Sequence, residues 1–250
     1  MKSRKQELRM KTGIGLVFGA IIVVVVHLWN GGVLTDLIQP ASLCFVLFGT
    51  FLSTFLSAPK GEFGLAFRPA PDAAGSVGGL KKELADLASV ARKEGFLALD
   101  SFRASASRAS LKDGIQYLIS GFDQGSIRGL FDASIDRRIR EGEATVKIWD
   151  IAAAAAPSIG ALGATLGLLT ALAKLDDPAQ LGRGIAAAMS AVLYGFFFAN
   201  FVFSPLAARR RKLLEDSVVP DEMVKAAILG IQEGLNPHLI EERLKQVVAG

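Results

Sequence analysis

Two apolar segments of the chain carry the side chains that could take part in chemistry. One is the stretch AAAAAPSIGALGATLGLL at residues 152–169, and the other lies within residues 184–208. Hydroxyl groups in such segments can orient water or a passing ion, and a proline removes a backbone hydrogen bond and creates a bend point. The hydroxyls of Thr165, Ser190 and Tyr194, together with bend points at Pro157 and Pro205, predict a narrow, faintly polar pathway along these two segments. Neither segment contains a carboxylate, so another chain must supply the charge if ions pass here.

Small residues repeat along the first segment at three- and four-residue spacing. One face of the helix then carries Gly160, Gly163, Ala164, Gly167 and Ala171, and such a face lets a neighbouring backbone approach closely within a membrane. Asn200 in the second segment predicts a hydrogen bond between helices, because an amide in a membrane span usually pairs with a neighbour. We therefore predict that Gly160, Gly163, Gly167 and Asn200 are helix-packing positions.

Other kinds of site have little support in the sequence. The single cysteine excludes an internal disulfide and a cysteine-based zinc site, and no nucleophile is paired with a base. His27 is interpreted as an interfacial side chain near the outer end of an apolar segment. The basic run RRRK at residues 209–212 directly follows an apolar segment, so it is predicted to contact lipid headgroups rather than nucleic acid. We expect neither an enzyme nor a resident cofactor.

Four windows without any charged residue predict the elements that hold these side chains. They are residues 12–35, 37–59, 151–173 and 184–208. The shortest window has 23 residues. As a helix it spans about 35 Å, enough to cross a hydrocarbon core of about 30 Å. We therefore predict an all-α integral membrane protein with four transmembrane helices in two hairpins.

Apolar residues at helical spacing also predict helices in the segment between the hairpins, with one apolar face made of Leu80, Leu84, Leu87, Val90 and Ala91. The third membrane helix is predicted to run straight on from this segment through Trp149. The tail from Pro220 onward predicts two short amphipathic helices with a break at the sequence GLNP.

The distribution of basic residues sets the orientation. The head, the segment between the hairpins and the tail hold 26 of the 28 Lys and Arg residues, and the short connections hold only Lys174 and Arg183. Positive charge favours the cytoplasmic side, so both termini and the large loop are predicted to be cytoplasmic. The predicted parts are a cytoplasmic head (1–11), a first hairpin (12–59), a cytoplasmic helical domain (60–150), a second hairpin with the ion pathway (151–208) and a cytoplasmic tail (209–250).

Three separated motifs resemble one protein family. The sequence APSIGALGATLGLLTALAKLDDPAQLGRGIAAAMSAVLYGFFFANFVFSPLA is similar to the last two membrane helices of the MotA/PomA family, the flagellar motor stator subunits of the MotA/TolQ/ExbB proton channel superfamily. The motif ARKEGFLALD resembles the cytoplasmic signature of that family, and GIQEGLNPHLIEERL resembles its tail. Two predicted helices before the large loop favour the flagellar branch, because TolQ/ExbB proteins have one.

The resemblance implies a multi-pass subunit of the bacterial inner membrane that converts ion flow into torque for motility and chemotaxis. It implies a homo-oligomer, a pentamer around a dimer of a single-span, peptidoglycan-binding MotB-like partner whose transmembrane Asp carries the ion. Pro157 and Pro205 match prolines that couple ion passage to movement of the cytoplasmic portion. Arg92, Lys93 and Asp100 match charged positions that engage the rotor switch protein, with Asp100 in place of the more usual Glu.

One departure from the family pattern predicts the coupling ion. Sodium-driven members resemble GTLVGL, with Thr directly after the glycine, whereas Ala164 follows Gly163 here and Thr165 comes one position later. One helical position rotates a side chain by about 100°. Val192 stands at the matching site of the second segment, where sodium types also have Thr. Sodium needs several oxygen ligands, so we predict H+ as the coupling ion and regard Na+ as the less favoured one.

Three alternatives stay open at the level of sequence. The chain could be a sodium-driven PomA-type stator, or a TolQ/ExbB-like energiser of another envelope system. It could also be a non-conducting scaffold of four helices that pack through their small-residue faces. Replacement of Pro157 by leucine separates the scaffold from the two motors, because a scaffold tolerates the change and a motor stalls.

Overall fold

A computed structural model of the chain describes residues 17, 19, 21–58, 63–64 and 77–249. Within these residues the regular secondary structure is helical, without any strand, which confirms the predicted all-α class. The α-helices are α1 (21–29), α2 (Pro40–Ser57), α3 (Val77–Glu94), α4 (Asp100–Ser105), α5 (Ala109–Ile119), α6 (Gln124–Leu172), α7 (Pro178–Phe198), α8 (Ser204–Gln232) and α9 (Pro237–Ala249). The predicted head (1–11) and the start of the first predicted span lie outside the described residues.

Three stretches of the described chain are long and apolar enough to cross a membrane. They are α2, a part of α6, and a part of the stretch Pro178–Gln232. The first predicted span is described only in part, and there residues 21–29 are helical. The sequence predicted that the third span runs without a break from the preceding loop segment through Trp149, and the continuity of α6 confirms this.

The tail differs from its prediction. The sequence suggested a short helix that starts at Pro220, but α8 begins at Ser204 and includes Pro220 in its interior, so that prediction was wrong. A five-residue π-helical segment, Ala199–Phe203, joins α7 directly to α8. The predicted break at the sequence GLNP is confirmed, because α8 ends at Gln232 and α9 begins at Pro237.

The chain divides into two compact units. We call Met1–Arg68 with Ala144–Arg210 the membrane unit, and Pro69–Glu143 with Arg211–Gly250 the loop-and-tail unit. The core of the loop-and-tail unit is apolar, and its largest fully buried side chains come from α3, the turn that follows α3, α5, the first turns of α6, α8 and α9. They include Leu84, Leu87, Ile115, Ile228 and Leu244. Burial of this set supplies the hydrophobic stabilisation that a soluble helical domain needs.

In the membrane unit, α2 has its more polar face inside. Ser42, Thr50 and Thr54 are buried together with Val46, whereas most of the large apolar side chains of the helix are exposed, namely Leu47, Phe48, Phe51, Leu52, Phe55 and Leu56. A helix in water would place these faces the other way round. The arrangement is expected of a helix whose exposed face meets lipid.

The start of α6 is fixed by a side-chain cap. Asp123 accepts hydrogen bonds from the backbone N–H of Ser126 at 3.0 Å and from its hydroxyl at 2.5 Å. The hydroxyl bond and then the backbone bond of Ser126 lower the pKa of the Asp123 carboxyl. The chain reaches this cap through Gly121, whose φ of +70° is a conformation that favours glycine.

Candidate functional site

The small-residue face of α6 packs directly against α7. A Cβ atom built on Gly160 would lie 2.8 Å from the backbone oxygen of Ala191, and one built on Gly167 would lie 2.9 Å from the backbone nitrogen of Ala188. A Cβ on Gly163 would lie 3.0 Å from the Ala191 Cβ. Gly160 and Gly167 therefore lie where the two backbones approach closely, and a side chain at either position would force the helices apart, whereas Gly163 packs against the side chains of Ala191 and Phe45.

The facing surface of α7 is equally small. A Cβ atom on Gly195 would lie 2.7 Å from the backbone oxygen of Ala156 and 3.1 Å from the Cα atom of Gly160. Near the other end of the pair, a Cβ on Gly184 would lie 2.7 Å from the Cβ of Ala171. The close contact therefore extends along most of the length of the α6–α7 pair.

The two candidate residues at the centre of α6 lie on different sides of the helix. Ala164 is buried, whereas Thr165 is exposed and donates its hydroxyl to the backbone oxygen of Ala161 at 3.0 Å. Ser158, two helical turns before Thr165, is exposed as well. The hydroxyls of α6 thus lie on the face that α7 leaves uncovered, and this face is open to a helix from another chain.

The polar side chains of α7 have a different environment. Ser190 is buried, and the Tyr194 hydroxyl donates a hydrogen bond to the backbone oxygen of Leu37. The same hydroxyl accepts a hydrogen bond from the backbone N–H of Gln39 at 3.0 Å. Tyr194 thereby satisfies backbone groups in the turn that leads into α2, which is a tethering contact within the membrane unit.

The two candidate prolines are accommodated in different ways. Pro157 lies within the continuous helix α6, where it cannot donate to the carbonyl four residues earlier. Pro205 follows the π-helical segment, in which the backbone N–H of Ser204 donates to the oxygen of Ala199, five residues back. This wider turn is a common way to relieve the clash that a proline ring causes in the preceding turn.

Asn200 lies in that π-helical segment and is exposed. Its side-chain N–H donates to the backbone oxygen of Phe196, in its own helix, at 2.9 Å. The stacked rings of Trp149 and Phe203, with centroids 6.3 Å apart, pack α6 against this segment. Within the membrane unit, aromatic packing rather than the Asn200 amide therefore joins these two elements.

The charged candidates lie in the loop-and-tail unit around the turn between α3 and α4. Arg92 and Lys93 are exposed in the last turn of α3, and Asp100 is the first residue of α4. Asp100 forms an ion pair with Arg103, with 3.3 Å between the carboxylate oxygen and the guanidinium nitrogen. The three predicted residues are therefore exposed on either side of this turn, and Asp100 already has a partner in its own helix.

None of these positions has the donors of a metal site. Among the residues that the structure describes, no three His, Cys, Asp or Glu side chains come together to hold a metal ion. The α6–α7 pair instead offers glycine-mediated contact on one face and hydroxyls on the other. Such a pair can shape a pathway, and the ion-carrying group would have to come from another chain.

Comparison with known proteins identifies the family. Residues 103–223 match the MotA/TolQ/ExbB proton channel family. The chain is 31% identical to the uncharacterized protein YtxD of Bacillus subtilis, over 93% of this chain and 88% of YtxD. It is 30% identical to motility protein A of Borreliella burgdorferi, over 93% of this chain and 90% of that protein. The chain belongs to the MotA/TolQ/ExbB proton channel family. The fold is similar to a chain in the structure of C. jejuni MotAB, with a TM-score of 0.83, 25% identity and 95% of both chains covered.

One polar feature of this MotA/TolQ/ExbB family member was missed in the sequence. On the buried face of α2, the Ser42 hydroxyl donates a hydrogen bond to the backbone oxygen of Ala187 at 2.9 Å. The Thr54 hydroxyl donates to the backbone oxygen of Thr50 at 2.7 Å. The Thr50 hydroxyl is buried without a hydrogen-bond partner among the described residues. The four-residue spacing of Val46, Thr50 and Thr54 was a signal in the sequence. It indicates a helix whose hydroxyl-bearing face is buried and whose large apolar side chains face outward.

A buried charge cluster of this family member was also missed. Asp221 of α8 is 4% exposed, and its carboxylate lies 3.6 Å from Arg108 and 3.1 Å from Arg138. The Ser110 hydroxyl donates to the same carboxylate at 2.7 Å. These residues connect α5, α6 and α8, so we interpret the cluster as one that stabilises the loop-and-tail unit.

Proposed function

We propose that this chain is a flagellar motor stator subunit that, with a single-span MotB-like partner, forms a proton channel and converts ion flow into torque on the rotor. The observation that carries the proposal is the alignment with proteins named motility protein A and with MotAB stator complexes over at least nine-tenths of both chains. Because the similarity covers the whole length of these relatives, it includes both the membrane unit and the loop-and-tail unit. This favours a common function of the whole protein over a resemblance limited to one pair of membrane helices.

The chemistry of the α6–α7 pair supports a partner that brings a carboxylate. Residues 151–173 and 184–208 contain no charged side chain, so they hold no group that can carry a proton. The buried face of α6 is filled by α7, and the exposed face presents Ser158 and Thr165. A transmembrane helix with an aspartate fits this exposed face, because small and hydroxyl side chains allow close approach.

The assembly and placement follow from the same proposal. Five copies of the chain surround a dimer of the peptidoglycan-binding partner in the bacterial inner membrane, with both termini in the cytoplasm. The predicted cytoplasmic parts hold 26 of the 28 basic residues, which supports this orientation. The loop-and-tail unit then faces the rotor switch protein, with Arg92, Lys93 and Asp100 on the contacting surface.

The first prediction concerns the coupling ion. With the chain and its partner as the only stator in a motile host, a protonophore should stop swimming, and a sodium ionophore should leave the speed unchanged. The reason is that sodium needs several oxygen ligands, whereas this chain has Ala164 where the resembling sodium-type pattern has Thr. The Thr165 hydroxyl on the exposed face is a single oxygen that already donates to the backbone oxygen of Ala161. Swimming speed at constant external pH measures this. If collapse of the sodium gradient alone stops the cells, proton coupling is wrong and the stator assignment still stands.

The second prediction concerns Pro157. Replacement of Pro157 by leucine restores a backbone donor in the middle of α6 and should stiffen the helix there. We expect the complex to assemble with its partner, as measured by co-purification, and the motor to stall in a tethered-cell assay.

Pro178→Leu is the matched control for this prediction. Pro178 lies at the first position of α7, where a proline removes no hydrogen bond within the helix. The control should therefore keep its motility. Normal rotation of the Pro157→Leu variant would favour a scaffold without a moving hinge over the proposed motor.

A further inference from the structure

The turn between α3 and α4 exposes two large apolar side chains next to the predicted rotor-contacting charges. Leu97 is 79% exposed and Phe96 is 38% exposed, whereas Leu99 in the same turn is completely buried. An isolated exposed leucine is ordinary, but two adjacent apolar side chains at a turn form a small patch that water solvates poorly.

The backbone fixes this exposure. Gly95 ends α3 with a φ of +82°, which favours glycine, and its N–H donates to the oxygen of Ala91 at 3.1 Å. Residues Phe96–Leu99 then form one 3-10 turn, and the Asp100 N–H donates to the oxygen of Leu97. With Leu99 anchored in the core, Leu97 has a defined outward position, so it would lose little backbone freedom on binding.

The charges around the patch favour an acidic partner. Arg92 and Lys93 are exposed at the end of α3, and neither is within ion-pair distance of another described residue. Glu94 is exposed beside them, and Asp100 is neutralised by its ion pair with Arg103. The patch is therefore bordered by a net positive charge, which attracts a surface rich in carboxylates.

We propose that Leu97, assisted by Phe96, is the apolar anchor of the rotor contact, and that its partner is a rotor protein surface with an apolar pocket bordered by carboxylates. This inference rests on the proposed stator function. Affinity at such contacts comes mainly from a buried central side chain, while charges at the rim steer the encounter and set specificity. The charged residues predicted from the sequence thus form the rim, and Leu97 forms the centre.

The test uses the full chain with its partner in a motile host that lacks its own stator. Leu97→Ser should lower the occupancy of the rotor by stator units about 10-fold or more, because the buried leucine side chain is lost. Leu97→Met should keep near-normal occupancy, since methionine fills a similar apolar volume. Leu239→Ser is the matched control, because Leu239 is also exposed, at 52%, on α9 of the same unit. Fluorescent stator units counted at the motor give the readout.

A photo-crosslinking residue at position 97, with one at position 239 as control, identifies the occupant. A crosslink from position 97 to the rotor switch protein, identified by antibody, supports the anchor. A crosslink only to a second copy of this chain or to lipid overturns it. If Arg92→Glu and Lys93→Glu abolish occupancy but Leu97→Ser leaves it normal, the anchor is wrong and the stator function stands. If none of the three changes alters occupancy, the rotor contact at this turn is wrong as well.

Discussion

Replacement of Asp221 by alanine should destabilise the loop-and-tail unit by about 3–5 kcal/mol, as expected when one partner of a buried ion pair is removed. The carboxylate is 4% exposed and faces Arg108 and Arg138, and the Arg108 side chain is itself only 7% exposed. Without Asp221, the buried Arg108 guanidinium would lose this ion pair and the Ser110 hydroxyl would lose its acceptor. A single domain is typically stable by only 5–15 kcal/mol, so this loss is a large fraction of the total.

Hydrogen exchange of the assembled complex measures this effect. In the Asp221→Ala variant, the amides of α5 and α8 should exchange much faster, because opening of the unit becomes more frequent. Asp132→Ala is the matched control. Asp132 forms an ion pair with Lys225 at 2.7 Å, but its side chain is 48% exposed, so its removal should cost less than about 1 kcal/mol. Equal exchange in the two variants would show that the buried cluster contributes no more than a surface pair.

This cluster shows which part of the fold the sequence could not predict. Ser110 and Asp221 are 111 positions apart in the sequence, and no periodic pattern links them. By contrast, four of the five residues on the predicted face of α3, Leu80, Leu84, Leu87 and Ala91, are buried, and the fifth, Val90, is half-buried, because helical spacing alone determines that face. Local periodicity predicts helices and their buried sides, and it carries no information about which distant charges meet.

The course of α8 was missed for a related reason. Proline disfavours a helix interior by about 3 kcal/mol, so a helix start at Pro220 was the local expectation. In the structure Pro220 is buried, and Ser217, Met223 and Val224 around it are completely buried. Tertiary packing of this face outweighs the local penalty, as it commonly does for propensities.

The sequence was sufficient to predict which residues belong to the candidate site, but not every contact that their side chains make. The spacing of the small residues placed Ala164 on the same helix face as Gly160, Gly163 and Gly167, with Thr165 rotated away from it by about 100°. The structure buries Ala164 and exposes Thr165, because the glycines on the Ala164 side allow the closer backbone contact. The role of Tyr194 as a tether to Leu37 depended on the position of α2, which no pattern within α7 could reveal.

Replacement of Gly195 by alanine should separate α6 from α7 and destabilise the membrane unit by about 1–3 kcal/mol, the usual cost of overpacking. The new Cβ would lie 2.7 Å from the backbone oxygen of Ala156, 3.1 Å from the Cα of Gly160 and 3.2 Å from the Cα of Pro157. All three atoms belong to the backbone, so no side-chain rotation can relieve the contact. The helix that carries the proposed hinge would have to move.

Gly182→Ala is the matched control, because Gly182 lies in the same helix and a Cβ there would meet no described atom within 4 Å. The control should melt at or slightly above the wild-type temperature in detergent, since alanine favours helix over glycine. Gly195→Ala should melt several degrees lower and should reduce torque, because displacement at Pro157 alters the proposed coupling path. If the two variants have the same melting temperature, the α6–α7 contact accommodates an added methyl group without loss of stability. Reduced stability with full torque would instead mean that Pro157 does not transmit the motion.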